Sequence, residues 1–394
     1  MPKKVYLQPP FVMHACHNRL VAYPPSGYEF VVQETLQEKA FKLATSTDLP
    51  RSLLRALDSS VVPYNLFKAW LERRNKPPEG TVLTYASEHL VLRPEPWVVD
   101  MEFAHLLVGR HPKHLKRFKG VFERALASAD CKRIICWSDA ARATLADLDM
   151  RGFEHKIEVV RNSVQPRQFV KEYREDKVVK LFFIGTDALT TASWAFEGKG
   201  GREVLETFSR LRQRYSNVEL VMRADAPADV KTKYKGMEGL RIIDRFIPWA
   251  ELEHEYLTAD IFIMPSHTTL FMTLLEAMSY ELPVVTIDSW SNAEHVRDGK
   301  TGLVAPRSQK LPYFYPNTVQ SNIGTPEYVK AMRPTDTVVI DELVKRVSML
   351  IENPELRRQM GMAGRWEVEQ GEFSLATMNG KLGRIFDEAI AADG

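Results

Sequence analysis

The segment ADIFIMPSHTTLFMTLLEAMSYELPVVTIDSWSNAEHVRDGKTGLVAP, residues 259–306, limits the possible folds more than any other stretch of the chain. Two short apolar runs, Ile261 to Met264 and Leu282 to Ile287, are rich in β-branched residues and bounded by proline and polar residues. Both read as buried parallel strands. Between them lie a polar loop, Ser266, His267, Thr268 and Thr269, and a run from Leu270 to Tyr280 of helical composition without proline or glycine. In such a strand, loop, helix and strand, the loop sits at the carboxyl edge of the sheet and the helix start aims free N–H groups at an anion. A phosphate suits that place. Glu276 lies well inside the helix, where a carboxylate among apolar neighbours costs free energy unless something hydrogen-bonds it. The diol of a sugar or ribose would supply that partner.

With 394 residues, 44% of them hydrophobic and 26% charged, the chain exceeds one typical core, and two domains are expected. A formal net charge of +2 argues against a protein built to coat nucleic acid, and no nucleic-acid partner is expected. Cys16, Cys131 and Cys136 are too scattered for a disulfide framework and form no CxxC pair, so a reducing compartment and no structural zinc follow. Pro9 and Pro10 interrupt the place where a signal peptide needs an apolar core, and no run approaches ~18 uncharged apolar residues. A cytoplasmic protein, soluble or peripheral at the inner face of a membrane, is expected.

Taken in order, Lys4 to Leu7 reads as a first strand, and Pro9, Pro10, Pro24, Pro25 and Gly27 read as a rigid loop system before a strand from Tyr28 to Val32. His14, His17 and Arg19 fall in that loop, either as solvated polarity or as acceptor-binding groups. Leu36 to Ala44, Leu53 to Leu57 and Tyr64 to Arg74 read as helices, and Thr81 to Tyr85 as a strand. The strand Trp97 to Met101 delivers Asp100, Glu102 and His105 at or beyond its carboxyl end. Residues 110–124 carry Arg110, Lys113, Lys116, Arg117, Lys119 and Arg124, interleaved with Leu115, Phe118, Val121 and Phe122. Such a segment suits peripheral contact with an anionic membrane or a phosphorylated acceptor, and equally a solvated amphipathic helix. Ile134 to Trp137 and Ile157 to Val160 complete the strands of this half, with Ser138 as a helix amino cap.

Residues 165–177 are charged and lack a core pattern, as a linker would. Beyond it, Leu181 to Ile184, Val218 to Met222 and Leu240 to Ile243 read as strands. Lys199, beside Gly200 and Gly201 at a helix start, has the chemistry of a phosphate ligand, against the alternative of a glycine-rich turn with a solvent-facing lysine. Residues 307–336 resemble an insertion, read as an acceptor-side or oligomer loop or a packed surface excursion. Helices follow at Asp341 to Glu352, Pro354 to Glu369 and Leu375 to Ala391. The Asp147 and Asp149 pair falls at a helix end rather than after a strand, which makes it a poor metal site.

The run PSHTTLFMTLLEAMSYELPVV, followed by Glu294, Asp298-Gly299 and Thr301-Gly302-Leu303-Val304, resembles the donor-site signature of retaining GT-B glycosyltransferases of the family 4, or group 1, type. The resemblance spans roughly Ile134 to Val304 and the terminal helices. It implies an α/β protein of two Rossmann-like domains facing a cleft: residues 1–164 on the acceptor side, a linker 165–177, a nucleotide-sugar domain 178–374, and a C-terminal helix, 375–394, crossing back to the first domain.

In that family two glutamates flank the helix start and the second binds ribose. Glu276 matches the second, whereas the first falls on Thr268, which would touch the sugar. Gly185 matches the strand-end glycine, Thr186 takes the place of a diphosphate-clamping Arg, and Lys199 matches the clamping Lys. Arg223 either replaces that Arg or pairs with Asp225. The amides of Leu270, Phe271, Met272 and Thr273 would share the diphosphate. Glu102 and then His105 match the catalytic position of the first domain, with capping of the following helix as the alternative for Glu102. The implied reaction is metal-independent transfer of a sugar, with retention, from a UDP- or GDP-sugar to a hydroxyl of a glycan, lipid-linked or small-molecule acceptor, with no cofactor. A nucleotide-sugar epimerase on the same scaffold and a catalytically weak donor-binding partner subunit remain as alternatives.

Overall fold

The computed structural model describes residues 1–8, 15–32, 63–109, 112–173, 178–185, 195–268, 271–311 and 326–391. The helices expected at Leu36 to Ala44 and Leu53 to Leu57 lie outside the described residues, as do His14, Arg110, Thr186 and Leu270. The chain divides into two units, the first including residues 1–162 and 375–394, the second residues 163–313 and 322–374.

In the first unit, β1 (Lys3–Gln8), β2 (Tyr28–Val31), β3 (Thr81–Ser87), β4 (Trp97–Met101), β5 (Cys131–Cys136) and β6 (Ile157–Val159) form a parallel sheet in the order β2-β1-β3-β4-β5-β6. Every residue of β4 is buried, because both faces of a parallel sheet carry helices. Trp97, Val99 and Met101 point into one apolar cluster, with Phe122, Ile134 and Phe153. Val98 points into the other, where Met378, Leu382, Ile385, Phe386 and Ala389 recur at helical spacing along Leu375–Ala391. The C-terminal helix therefore supplies half the covering of the N-terminal sheet. Phe386 meets Tyr28 edge-on at 5.1 Å, and Asp387 accepts the Tyr28 hydroxyl at 2.6 Å.

The proline-bounded loop expected before β2 contains a helix, Ala15–Ala22. Neither proline nor glycine falls within it; the four prolines mark its flanks. His17 lies on this helix and is buried, which corrects its reading as a loop residue open to an acceptor.

In the second unit, β7 (Val179–Ile184), β8 (Val218–Arg223), β9 (Leu240–Ile243), β10 (Ile261–Ile263), β11 (Val284–Ile287) and β12 (Gly302–Ala305) form a second parallel sheet, in the order β12-β11-β10-β7-β8-β9. From β7 the chain builds outward through β8 and β9, then returns to lay β10 on the other side of β7. The carboxyl ends of β7 and β10 thus flank the reversal of strand order where ligands of such sheets bind.

Of the segment expected to be a linker without a pattern, 165–177, the described residues 165–173 lie along the second unit, and from Arg167 to Tyr173 the contacts recur with a period of two. Lys171 Nζ donates to the Leu257 and Ala259 carbonyls at 3.1 and 2.7 Å, Phe169 stacks on Tyr280 at 5.7 Å, and Tyr173 bonds Glu281. Gln165, Gln168, Val170 and Glu172 face water between them. The alternation is one of charged and aromatic residues, so a search for apolar periodicity misses it.

Candidate functional site

The loop after β10 and the turn before the helix Gly201–Arg212 are held together by backbone. His267 N donates to Gly198 O at 2.8 Å, and Ser266 Oγ reaches the same carbonyl at 3.3 Å. Gly200 caps the helix in the left-handed region, φ 79°, and a Cβ there would collide with the Pro265 carbonyl. Lys199, next to it, is buried. A lysine, a helix amino terminus and a polar loop thus converge at the strand reversal, an arrangement suited to phosphate oxygens. Lys199 is only 4% exposed, so it is not a solvent-facing lysine of a glycine-rich turn.

Thr268 is buried, and its N–H donates to Ser266 Oγ at 3.2 Å, while Ser266 Oγ donates to Thr268 O at 2.7 Å. Its neighbour His267 pairs through Nε2 with Glu203 Oε1 at 3.1 Å, both nearly inaccessible. Asn292 Nδ2 donates to Ser266 O at 3.0 Å, and the Tyr328 hydroxyl to His267 O at 2.9 Å. Tyr328 sits on the helix Pro326–Met332, so part of the insertion-like segment packs on this loop. The His267–Glu203 couple had no sequence signal, because its members stand 64 residues apart.

The helix Phe271–Ser279 buries Phe271, Leu274, Leu275, Ala277 and Met278, leaving Met272, Thr273 and Glu276 on one half-exposed face. The partner that a carboxylate in this helix requires is Arg167. Its Nε reaches Glu276 Oε1 at 3.2 Å and its Nη2 bonds the same oxygen. The guanidinium lies 4.8 Å from the Trp249 ring centroid and 5.4 Å from that of Tyr280. Burial alone would lower the Arg167 pKa, but the charge and hydrogen bonds of Glu276 raise it. Sequence reasoning assigned this partnership to a ligand diol; the protein itself provides the first partner. Trp249 opens the helix Trp249–Thr258 and is 47% exposed, and Phe246, 84% exposed, stands in the loop before it.

Arg223 closes β8, and its carbonyl accepts from Gly185 N at 2.8 Å, which places it beside the end of β7. Burial lowers its pKa, with Asp225 acting the other way. The Asp225 carboxylate lies 3.9 Å from Lys231.

At the carboxyl edge of the first sheet, Asp100 is consumed internally. It accepts from the Tyr85 hydroxyl at 2.9 Å and Glu88 N at 3.3 Å, and meets His17 Nε2 at 3.3 Å. Ser87 Oγ meets the same His17 nitrogen at 2.6 Å, so these three groups do not form the two-nitrogen relay of a hydrolase. A second buried network joins Gln8, Glu72, His89 and Arg93: Glu72 Oε2 accepts from Gln8 at 2.6 Å and meets His89 Nε2 at 2.9 Å, and Arg93 donates to Gln8 at 2.6 Å. Glu102 follows β4 half-exposed. His105 is buried in the turn Ala104–Leu107, its ring 5.4 Å from Phe103. The first unit thus carries Glu102 and His105, and the second Lys199, Arg223, Thr268, Phe271, Met272, Thr273 and Glu276.

Among the described residues no group of three or more His, Cys, Asp or Glu could hold a metal ion. Asp149 caps the turn Met150–Gly152 and bonds Arg151 at 2.7 Å. The basic segment forms two short helices, Pro112–Arg117 and Lys119–Ala127, with Lys116, Arg117 and Arg124 facing outward and Leu115, Phe122 and Leu126 inward. No described helix is long and apolar enough to cross a membrane.

Two parallel six-stranded sheets with flanking helices, in two Rossmann-like units, define an α/β protein of the GT-B glycosyltransferase fold class. Residues 185–312 match the family described as Glycosyl transferases group 1, which bears out the resemblance read from the sequence and supports sugar transfer. No curated protein matches the chain by sequence. Among solved structures, a glycosyltransferase from Rickettsia africae ESF-5 is 13% identical with a TM-score of 0.57, over 99% of this chain and 98% of that one. Anabaena HepE, solved with UDP and glucose, is 12% identical with a TM-score of 0.57, over 98% of this chain and 100% of that one. TarM is 12% identical with a TM-score of 0.54 over 77% of this chain, which spans about half, 54%, of TarM's length. At such identities the likeness is one of fold.

Proposed function

We propose that this protein is a glycosyltransferase that moves a sugar from a nucleoside diphosphate sugar to an acceptor hydroxyl with retention of anomeric configuration, without a metal or cofactor. The observation that carries the reading is the convergence of Lys199, the start of the helix Gly201–Arg212 and the loop 266–268 at the strand reversal, inside the segment that matches group 1 glycosyltransferases. In this reading Lys199, Arg223 and the amides of residues 270–273 meet the negative charge that develops on the diphosphate as the glycosidic bond breaks. Glu276 accepts the ribose hydroxyls, Thr268 borders the sugar, and Glu102, followed by His105, acts on the reacting sugar. The acceptor is a glycan or lipid-linked hydroxyl, and outward-facing Lys116, Arg117 and Arg124 would favour an anionic surface.

The test is incubation with a panel of UDP- and GDP-sugars in the presence of EDTA, following release of nucleoside diphosphate. Transferases commonly leak sugar to water, so slow hydrolysis of one donor, with the product sugar keeping its anomeric configuration by NMR, is expected. UDP-glucose comes first in the panel because HepE holds UDP and glucose. Nucleotide binding without any turnover would instead identify a donor-binding partner subunit, the reading favoured by Thr268 at the expected position of an acid. Interconversion of two nucleotide sugars would identify an epimerase.

A further inference from the structure

Arg167 is the first partner of Glu276, and its position is itself fixed by the segment that carries it. Arg365 Nη2 donates to the Arg167 carbonyl at 3.2 Å and its Nη1 to the Phe169 carbonyl at 3.3 Å, while its guanidinium lies 4.5 Å from the Phe169 ring centroid. Phe169 in turn stacks on Tyr280, one helical turn beyond Glu276. The Arg167 guanidinium lies over the faces of both Trp249 and Tyr280, contacts that restrict its fork. Both of its bonds go to one carboxylate oxygen, Oε1. The carboxylate is thereby anchored through Oε1, with Oε2 left to accept from another donor.

We infer that Arg167 is a positioning residue for nucleoside recognition: it orients the Glu276 carboxylate so that Oε2 accepts from the ribose hydroxyls of the bound nucleotide. This rests on the donor reading above and extends it to a residue on the segment that precedes the nucleotide domain. An unanchored glutamate would spread over its rotamers and lose orientation each time a ribose bound, whereas a pre-aimed one does not. Arg167 then governs discrimination between ribose and its deoxy analogue, and leaves the diphosphate contacts to Lys199 and the helix start.

The experiment is calorimetric titration of the full chain with UDP and with 2′-deoxy-UDP, and with GDP and 2′-deoxy-GDP, across wild type, Glu276→Gln, Arg167→Met, Arg167→Lys and the Arg167→Met/Glu276→Gln double variant. Thermal melts verify that each is folded, and Arg167→Met keeps the aliphatic stem between Trp249 and Tyr280. Wild type is expected to prefer the ribonucleotide by about tenfold or more, the scale of a charge-assisted hydrogen bond. Arg167→Met should bring that preference to within about twofold with deoxynucleotide affinity unchanged, Arg167→Lys should restore part of it, and the double variant should match Glu276→Gln, as residues acting through one contact do. Equal weakening of both nucleotides by Arg167→Met would make Arg167 a structural residue and overturn the inference; so would tighter ribonucleotide binding, which would make it a competitor for Glu276. If Glu276→Gln itself changed neither affinity nor preference, the donor reading would fall at its root, and the role of Arg167 with it.

Discussion

Glu276 and Glu72 are both carboxylates drawn out of water, and the chain treats them in opposite ways. Glu276 keeps a mostly buried place on its helix, its side chain 14% exposed, with one oxygen bound by Arg167. Exchanging it for Gln keeps the shape but removes the charge, and should weaken nucleotide binding by about 1.5 to 3 kcal/mol, measured by calorimetry. Lys199→Ala should lower turnover even at saturating donor, because its contact strengthens as the leaving group gains charge; full turnover restored by saturation would make Lys199 a ground-state binder. Glu72 is turned wholly inward. Burial would raise its carboxyl, but the hydrogen bond and charge of His89, with Lys68 and Gln8, bring it down to about 2.

Burial lowers His89 below its ordinary value of 6.5. Both groups have folded values below their unfolded ones. Their stabilising contribution is therefore complete above the unfolded values and lost as pH falls, first below 6.5 for His89 and then from 4.5 toward about 2 for Glu72. Melting temperature followed from pH 8 to pH 3, a window of about five units around these values, should decline in acid, and Glu72→Gln should flatten the lower part of that decline. The turn that carries Lys199 was legible in the sequence because two adjacent glycines announce a helix start. Arg167 was not, because its partner lies 109 residues on and its own segment carries no apolar period.

At the scale of elements, the strands were the legible part, since a continuous apolar run such as Trp97–Met101 or Leu240–Ile243 has few alternatives once its flanks are polar. The helix Ala15–Ala22 was hidden by the prolines around it, and the adhesion of residues 163–173 by its mixed charge and aromatic alternation. The turn at Gly200 makes a sharp demand on a single residue. Gly200→Ala would force a side chain into the left-handed region at a cost of about 1 to 2 kcal/mol, and push its Cβ against the Pro265 carbonyl. It should lower the melting temperature and loosen nucleotide binding together, since the loop that would shift is the one expected to meet the ligand. For the helices Pro112–Arg117 and Lys119–Ala127, sedimentation with vesicles should show binding to anionic lipid that falls steeply with salt, each basic residue near the surface contributing about 1 kcal/mol that is screened within a Debye length. Equal partitioning to neutral vesicles would remove the electrostatic role.

On the scale of the whole molecule, the second unit owns residues 163–173, so a fragment made to test the proposed nucleotide site begins at Ser163, not at Val178 where sequence alone would cut it. A fragment from Ser163 to Ser374 retains Arg167, Lys199 and Glu276 and should bind nucleotide within about tenfold of the full chain while transferring nothing, since Glu102 and His105 are missing. Beginning instead at Val178 should cost the fragment its ribose preference. Calorimetry on the two fragments decides between these boundaries.

The first unit has a core drawn from segments on either side of the second. Val5, Leu83, Tyr85 and Val98 share it with Met378, Leu382, Ile385 and Phe386, from the far end of the chain. A ribosome delivers one of these halves before the second unit and the other after it, at about 5 to 20 residues per second. The N-terminal sheet must wait, one apolar face uncovered, until the helix Leu375–Ala391 emerges, by which time the second unit has everything it needs to fold. The usual order of birth and folding is thus inverted, and strands made before the second unit are sealed after it. A nascent chain stalled within the second unit should expose that face to chaperones, and loss of the last helix should unfold the beginning of the protein sooner than its middle.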